Sequence, residues 1–175
     1  VAAFGAFLML LKSAYDEMGK IEEAGREFRF SIGASAQSTL RIRDIIEQTR
    51  DEFTRFGIGI EEATKSAIAL GDVFASNDFI QKETVQTVAM LDEAFGIAAE
   101  TSAQAIDNLI KMGASSAQDA TKNIMHMQKL SQRYGVSFAK VMDDVAGASE
   151  EALIFAGGSA KNLAKAAVEA RKMGT

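Results

Sequence analysis

The sequence predicts an all-α protein, on three observations. Not one of the 175 residues is proline. Proline marks loops, edge strands and helix starts, so its absence over this length favours long helices joined by glycine turns. From Phe4 to Phe56, positions taken in alternating steps of three and four are apolar in twelve of sixteen cases, the spacing of a helix with a narrow supercoiling seam. From Phe56 onward, an aromatic, a glycine and a branched residue return together every 39 residues. Periods of that size belong to stacked helix pairs.

Taken in order, the chain opens on an uncharged apolar run, Val1 to Leu11. It is about half the ~20 residues that span a bilayer, and it lacks the basic start and cleavage pattern of a signal peptide. Two readings stand for it. The simpler is a buried helix end or helix–helix seam; the other is the edge of a truncated membrane-active segment, with residues 1–11 meeting a host membrane. Valine at position 1 points to a piece of a longer chain.

Residues 1–56 then form a coiled-coil-like arm. Its seam runs through Ile21, Phe28, Ile32, Ile42, Ile46, Phe53 and Phe56, which makes it a candidate self-association surface and the chain a candidate homo-oligomer. Leu40 and Ile45 fall outside this phase. Gly33 and the polar stretch Ser31 to Thr39 are its weakest part and a plausible break, since each helix glycine costs about 1 kcal/mol relative to alanine. The charged residues of the arm read as a solvated face.

Residues 57–175 form a bundle of three helical hairpins. Phe56-Gly57-Ile58, Phe95-Gly96-Ile97 and Tyr134-Gly135-Val136 are the repeated tripeptides, with Met173-Gly174-Thr175 as a looser fourth copy. Each aromatic reads as the last buried residue of a helix. The glycine takes the left-handed conformation that closes the helix, and the branched residue packs back on its end. Gly57, Gly96, Gly135 and Gly174 are thus predicted helix caps. Each unit has a second break near its middle, at Ser76-Asn77-Asp78, at Gly113 to Ser116 and at Gly157-Gly158-Ser159. Ser116 with Asp119 three residues on resembles a capping box. The predicted helices are about 60–75, 79–95, 99–112, 116–134, 137–156 and 159–173. Val85, Ile124 and Leu163 hold equivalent places and predict a shared core face.

Composition narrows the function. Apolar residues make up 47% and charged residues 25% of the chain, ordinary for an ordered protein. The formal net charge is −5 with no block of like charges, which disfavours a nucleic-acid binder working through clustered Lys and Arg; no specific nucleic-acid binding is expected. Absence of cysteine removes disulfides and thiolate chemistry.

Residues for catalysis are sparse. The single histidine, His126, has no partners at metal-ligand or triad spacing. No phosphate loop or nucleophile elbow occurs, and Gly57-Ile58-Gly59 follows a helix instead of a strand. Adjacent carboxylates at Glu22-Glu23, Glu61-Glu62, Asp143-Asp144 and Glu150-Glu151 point about 100° apart on a helix, not across a cleft. Three of the pairs sit in or near first turns, where they complement the helix dipole; Asp143-Asp144 reads as a solvated face. Met112, Met125, Met127 and Met142 read as core filler. No catalytic, cofactor or metal site is expected.

With the organisation drawn, the phrases "FGIGIEEATKSAIAL", "LDEAFGIAAETSAQAIDNLIKMGASS" and "AVEARKMGT" resemble the helical core of bacteriophage tail tape-measure proteins, over about residues 15 to 175. The shared pattern is an aromatic or leucine with Gly-Ile/Val closing each helix, a short polar start to the next, and Ala-rich helices. It carries no catalytic signature. The resemblance implies a structural, non-enzymatic protein of the virion, held inside the tail tube and made in the host cytoplasm. It also implies partners in the tube and the baseplate or tail-tip hub, and roles in setting tail length, nucleating the tube and genome ejection. The alternatives are an α-helical membrane-active protein, such as a pore-forming toxin or translocator, and a helical adaptor module.

Overall fold

The computed structural model describes residues 57–74, 81–149 and 159–174, together with Gly19, Asp44, Ile45, Thr54 and Arg55. The predicted seam residues (Ile21, Phe28, Ile32, Ile42, Ile46, Phe53 and Phe56), the break at Gly33 and the breaks at 76–78 and 157–158 lie outside the described residues. Within them the protein is all-α, without a strand: α1 Ile60–Phe74, α2 Lys82–Phe95, α3 Ala99–Lys111, α4 Ala117–Tyr134, α5 Phe138–Ala146 and α6 Ala160–Met173.

Local chemistry explains the boundaries. At the start of α1, Glu62 reaches back to accept from the Gly59 N–H at 3.0 Å, occupying a donor the helix itself leaves open. The Ser116 hydroxyl accepts from the Asp119 N–H at 3.2 Å and opens α4; Ser137 does the same for Lys140 at 3.4 Å and opens α5. Helix α4 ends in two reverse bonds, Gly135 N–H to the Gln132 carbonyl and Val136 N–H to the Ser131 carbonyl. Helix α3 ends the same way, through Gly113 to Ile110 and Ala114 to Leu109. This pairing fills carbonyls that have no partner inside the helix.

One predicted helix needs correction. The fifth was expected over 137–156, and α5 stops at Ala146 with Gly147 closing it. The reason lies on another helix. The Asn108 carboxamide of α3 donates to the Val145 and Ala146 carbonyls at 2.8 and 3.0 Å. Those are the last carbonyls of α5, so a side chain from elsewhere in the molecule completes its end.

The hairpins pack as a two-layer stack, an order that the expected bundle did not specify. First helices α1, α3 and α5 lie side by side, and second helices α2, α4 and α6 form the other layer. The closest packing is between successive first helices and between α4 and α6, while α3 touches all the others. Apolar positions at helical spacing make the shared core: Leu70 from α1, Val85 and Leu91 from α2, Ile106 and Leu109 from α3, Ile124 and Met127 from α4, Met142 from α5 and Val168 from α6. Each such fully buried side chain contributes about 1.5–3 kcal/mol. Alanines at Ala63, Ala67, Ala103, Ala120 and Ala164 are fully buried between them, so the helices can approach closely. Ile45, outside the seam phase, packs against this same core.

Candidate functional surface

The predicted capping glycines take left-handed angles, with φ of +76° at Gly57, +63° at Gly96, +67° at Gly135 and +85° at Gly174. Gly96, Gly135 and Gly174 follow the ends of α2, α4 and α6. Gly113, after α3, is also left-handed at +91°. The residues flanking the glycines differ from expectation. Phe95 and Tyr134, expected as the last buried residues of their helices, are 38% and 41% exposed, and Met173 of the looser fourth copy is 77% exposed. Ile58 and Ile97, after the glycines, are the buried members. The left-handed glycine turns the chain back on itself, so the core receives the residue beyond it.

The aromatics are partly engaged at the surface. Phe95 meets Phe138 edge to face at 5.2 Å between ring centres, which brings the end of α2 to the start of α5. Lys172 of α6 places its ammonium 4.9 Å from the Tyr134 ring centre, so α4 and α6 end together. They also begin together, since Asp119 and Asn123 of α4 share a shallow cleft of about 260 Å³ with Ser159 and Lys161 at the start of α6. The two helices therefore run parallel. A bidentate pair from Arg171 to Asp144, both contacts 2.6 Å, joins α6 to α5. Asp144 is thus an inter-helix partner and not part of a solvated face, as its neighbour Asp143 is.

Charge is segregated between the elements. The outward residues of α4 include Lys122, His126, Lys129 and Arg133, and those of α6 include Lys161, Lys165 and Lys172. Steps of four and three put each set on one helix face, opposite the buried Ile124 and Leu163. Lys122 pairs with Asp119 at 2.9 Å and Lys165 lies 3.7 Å from Glu169. Among the described residues no carboxylate is within ion-pair range of Lys129, Arg133 or Lys161. Helices α1, α3 and α5 carry the opposite excess, with Glu61, Glu62, Asp72, Glu100, Asp107, Asp143 and Asp144 against Lys65, Lys111 and Lys140. The expectation of unclustered charge holds along the chain and fails in space. A signal was available: Lys122 and Lys161, His126 and Lys165, and Arg133 and Lys172 are each 39 residues apart.

Hydrogen bonding sets the resolved titration shifts. Lys122 holds the Asp119 carboxyl below its ordinary value, and Glu61 holds Lys65 above its own. Asp144 raises Arg171. Among the described residues no three His, Asp or Glu side chains gather as a metal site, and no helix is long and apolar enough to cross a membrane. His126 is exposed on the outer face of α4.

No family model, curated protein or solved structure matches this chain.

Proposed function

We propose that this chain is a structural assembly element of a bacteriophage tail, a part of a tape-measure protein, and that it carries no catalysis. The observation that supports this most is the run of glycine-closed helices stacked into one body around an aliphatic core. That is the pattern on which the sequence resemblance rests. In this reading the stack is a folded anchor that meets tube and tail-tip hub proteins. Length is set by extended helical sequence elsewhere in the gene product, and the arm of residues 1–56 brings copies together within the virion.

The test is tail length. A helix advances 1.5 Å per residue, so removing ~100 residues of helical sequence outside this segment shortens the tail by roughly 150 Å. Deletions within residues 57–175 instead abolish tail assembly, because they remove packed helices and not a spacer. Electron micrographs of particles carrying each deletion give the lengths. An unchanged tail in the first case sinks the reading.

A further inference from the structure

The basic face of α4 and α6 has no role in the reading above. It consists of two parallel helices, each with its cations on the side away from the core. Lys122, Lys129 and Arg133 lie on one, and Lys161, Lys165 and Lys172 on the other. Lys129 and Arg133, like Lys161 and Lys165, are one turn apart, about 6 Å along the axis, whereas Lys122 and Lys129, like Lys165 and Lys172, are two turns apart, roughly 10.5 Å. Packed helices lie 8–10 Å apart, so the face presents a two-row grid of positive charge. Lys129, Arg133 and Lys161 have no carboxylate in range among the described residues. The Tyr134 ring, 41% exposed, stands beside Arg133 and beneath Lys172.

We propose that this face binds the phosphodiester backbone of a nucleic acid, without reading its sequence. Three partners could match its charge, and the side chains choose between them. A second copy of the chain offers the acidic layer of α1, α3 and α5, yet stable protein interfaces are depleted in lysine at their centres and exposed ion pairs contribute little each. An anionic lipid surface is bound most firmly by helices that insert apolar side chains along their length, and among the described residues this face has large exposed apolar side chains only at one end, Tyr134 and Met173. A polyphosphate needs neither an apolar core nor insertion. Lysine and arginine neutralise its charges and release its counterions, and an exposed ring offers a stacking platform for a base. The acidic remainder of the molecule does not prevent this, because charges beyond about 8 Å are largely screened at physiological salt.

The proposal is independent of the tail-length experiment, which can fail while this one succeeds. Its test is fluorescence anisotropy of the intact chain with a labelled 20-nucleotide single strand and a 20-base-pair duplex of mixed sequence, from 20 to 200 mM KCl. Binding is expected at low salt. For three neutralised phosphates on a single strand, the tenfold rise in salt weakens it by roughly 100-fold.

The triple variant Lys129→Glu/Arg133→Glu/Lys161→Glu is expected to lose at least tenfold at low salt. A control of equal charge change on the other layer, Lys65→Glu/Lys111→Glu/Lys140→Glu, is expected to lose less than threefold. Circular dichroism checks that both fold, and Lys129→Gln/Arg133→Gln/Lys161→Gln replaces the first if it does not. Absence of binding to both probes at 20 mM KCl overturns the proposal, as do equal losses in the two triples. Binding to phosphatidylserine vesicles, or salt-sensitive self-association lost in the first triple, overturns it too if neither nucleic acid binds.

Discussion

Asn108 is only 4% exposed, and both of its amide hydrogens are committed to carbonyls at the end of α5. Its own oxygen accepts from Gln104 at 3.3 Å, so the buried carboxamide is satisfied on both sides. Replacing it with alanine removes the donor to the Ala146 carbonyl and leaves the Val145 carbonyl only the long bond from the Ala148 N–H at 3.4 Å, and an unsatisfied buried polar group costs about 1–3 kcal/mol. Asn108→Ala is therefore expected to lower unfolding stability by about 2 kcal/mol in urea titration, and Gln104→Ala by much less. Equal losses would mean that Asn108 acts as ordinary packing. The sequence hides this role, because Asn108 and its acceptors are 37 and 38 residues apart. An isolated asparagine in a helix reads as weakly helix-forming, and nothing nearby shows what it binds.

At the scale of the element, the helix ends are where sequence reasoning reached furthest. A glycine after an apolar residue, followed by a branched one, is a local instruction that needs no distant partner. Gly96 and Gly135 are left-handed with nothing within 4 Å of where a Cβ would sit. A side chain there meets a purely conformational penalty, roughly 1–2 kcal/mol for an L-residue and more for a β-branched one. Gly96→Val and Gly135→Val are each expected to destabilise by more than ~1 kcal/mol in thermal or urea unfolding. Asparagine, which tolerates this conformation, is expected to cost less at either site. Similar losses for valine and asparagine would show that the angle is not what makes glycine necessary. The end of α5 differs from the sequence expectation for the opposite reason. Gly147 closes that helix with an ordinary φ of −86°, and the partner that completes it comes from α3.

Across the whole molecule, two properties depend on how elements are arranged. One is charge: a chain of net charge −5 carries a basic face because α4 and α6 lie side by side and turn their lysines the same way. The other is the association we propose for the arm. The seam residues Ile42 and Ile46 are apolar at coiled-coil spacing, and a charge placed in such an interface costs several kcal/mol unless it is paired. Ile42→Asp or Ile46→Asp is expected to convert an oligomer to a monomer in sedimentation velocity, at low and at high salt alike. A monomer for both wild type and variant would reduce the seam to an intramolecular packing face. Ile45, one residue from Ile46, packs on the core of the hairpins.

The sequence by itself determined the helical class, the glycine-closed ends and most helix boundaries among the described residues. All of these follow from interactions within a few residues, such as backbone angles, caps and the 3.6-residue period. It also determined that Val85, Ile124 and Leu163 face the core, since equivalent apolar positions on repeated helices have little choice. Only the tertiary structure decided that the hairpins stack in two layers and that Asn108 ends α5. It also decided that Asp144 answers Arg171 and that the cations of α4 and α6 share one surface. Those facts join residues from 27 to 39 positions apart, and no local propensity encodes a contact across that distance until the core brings the helices together.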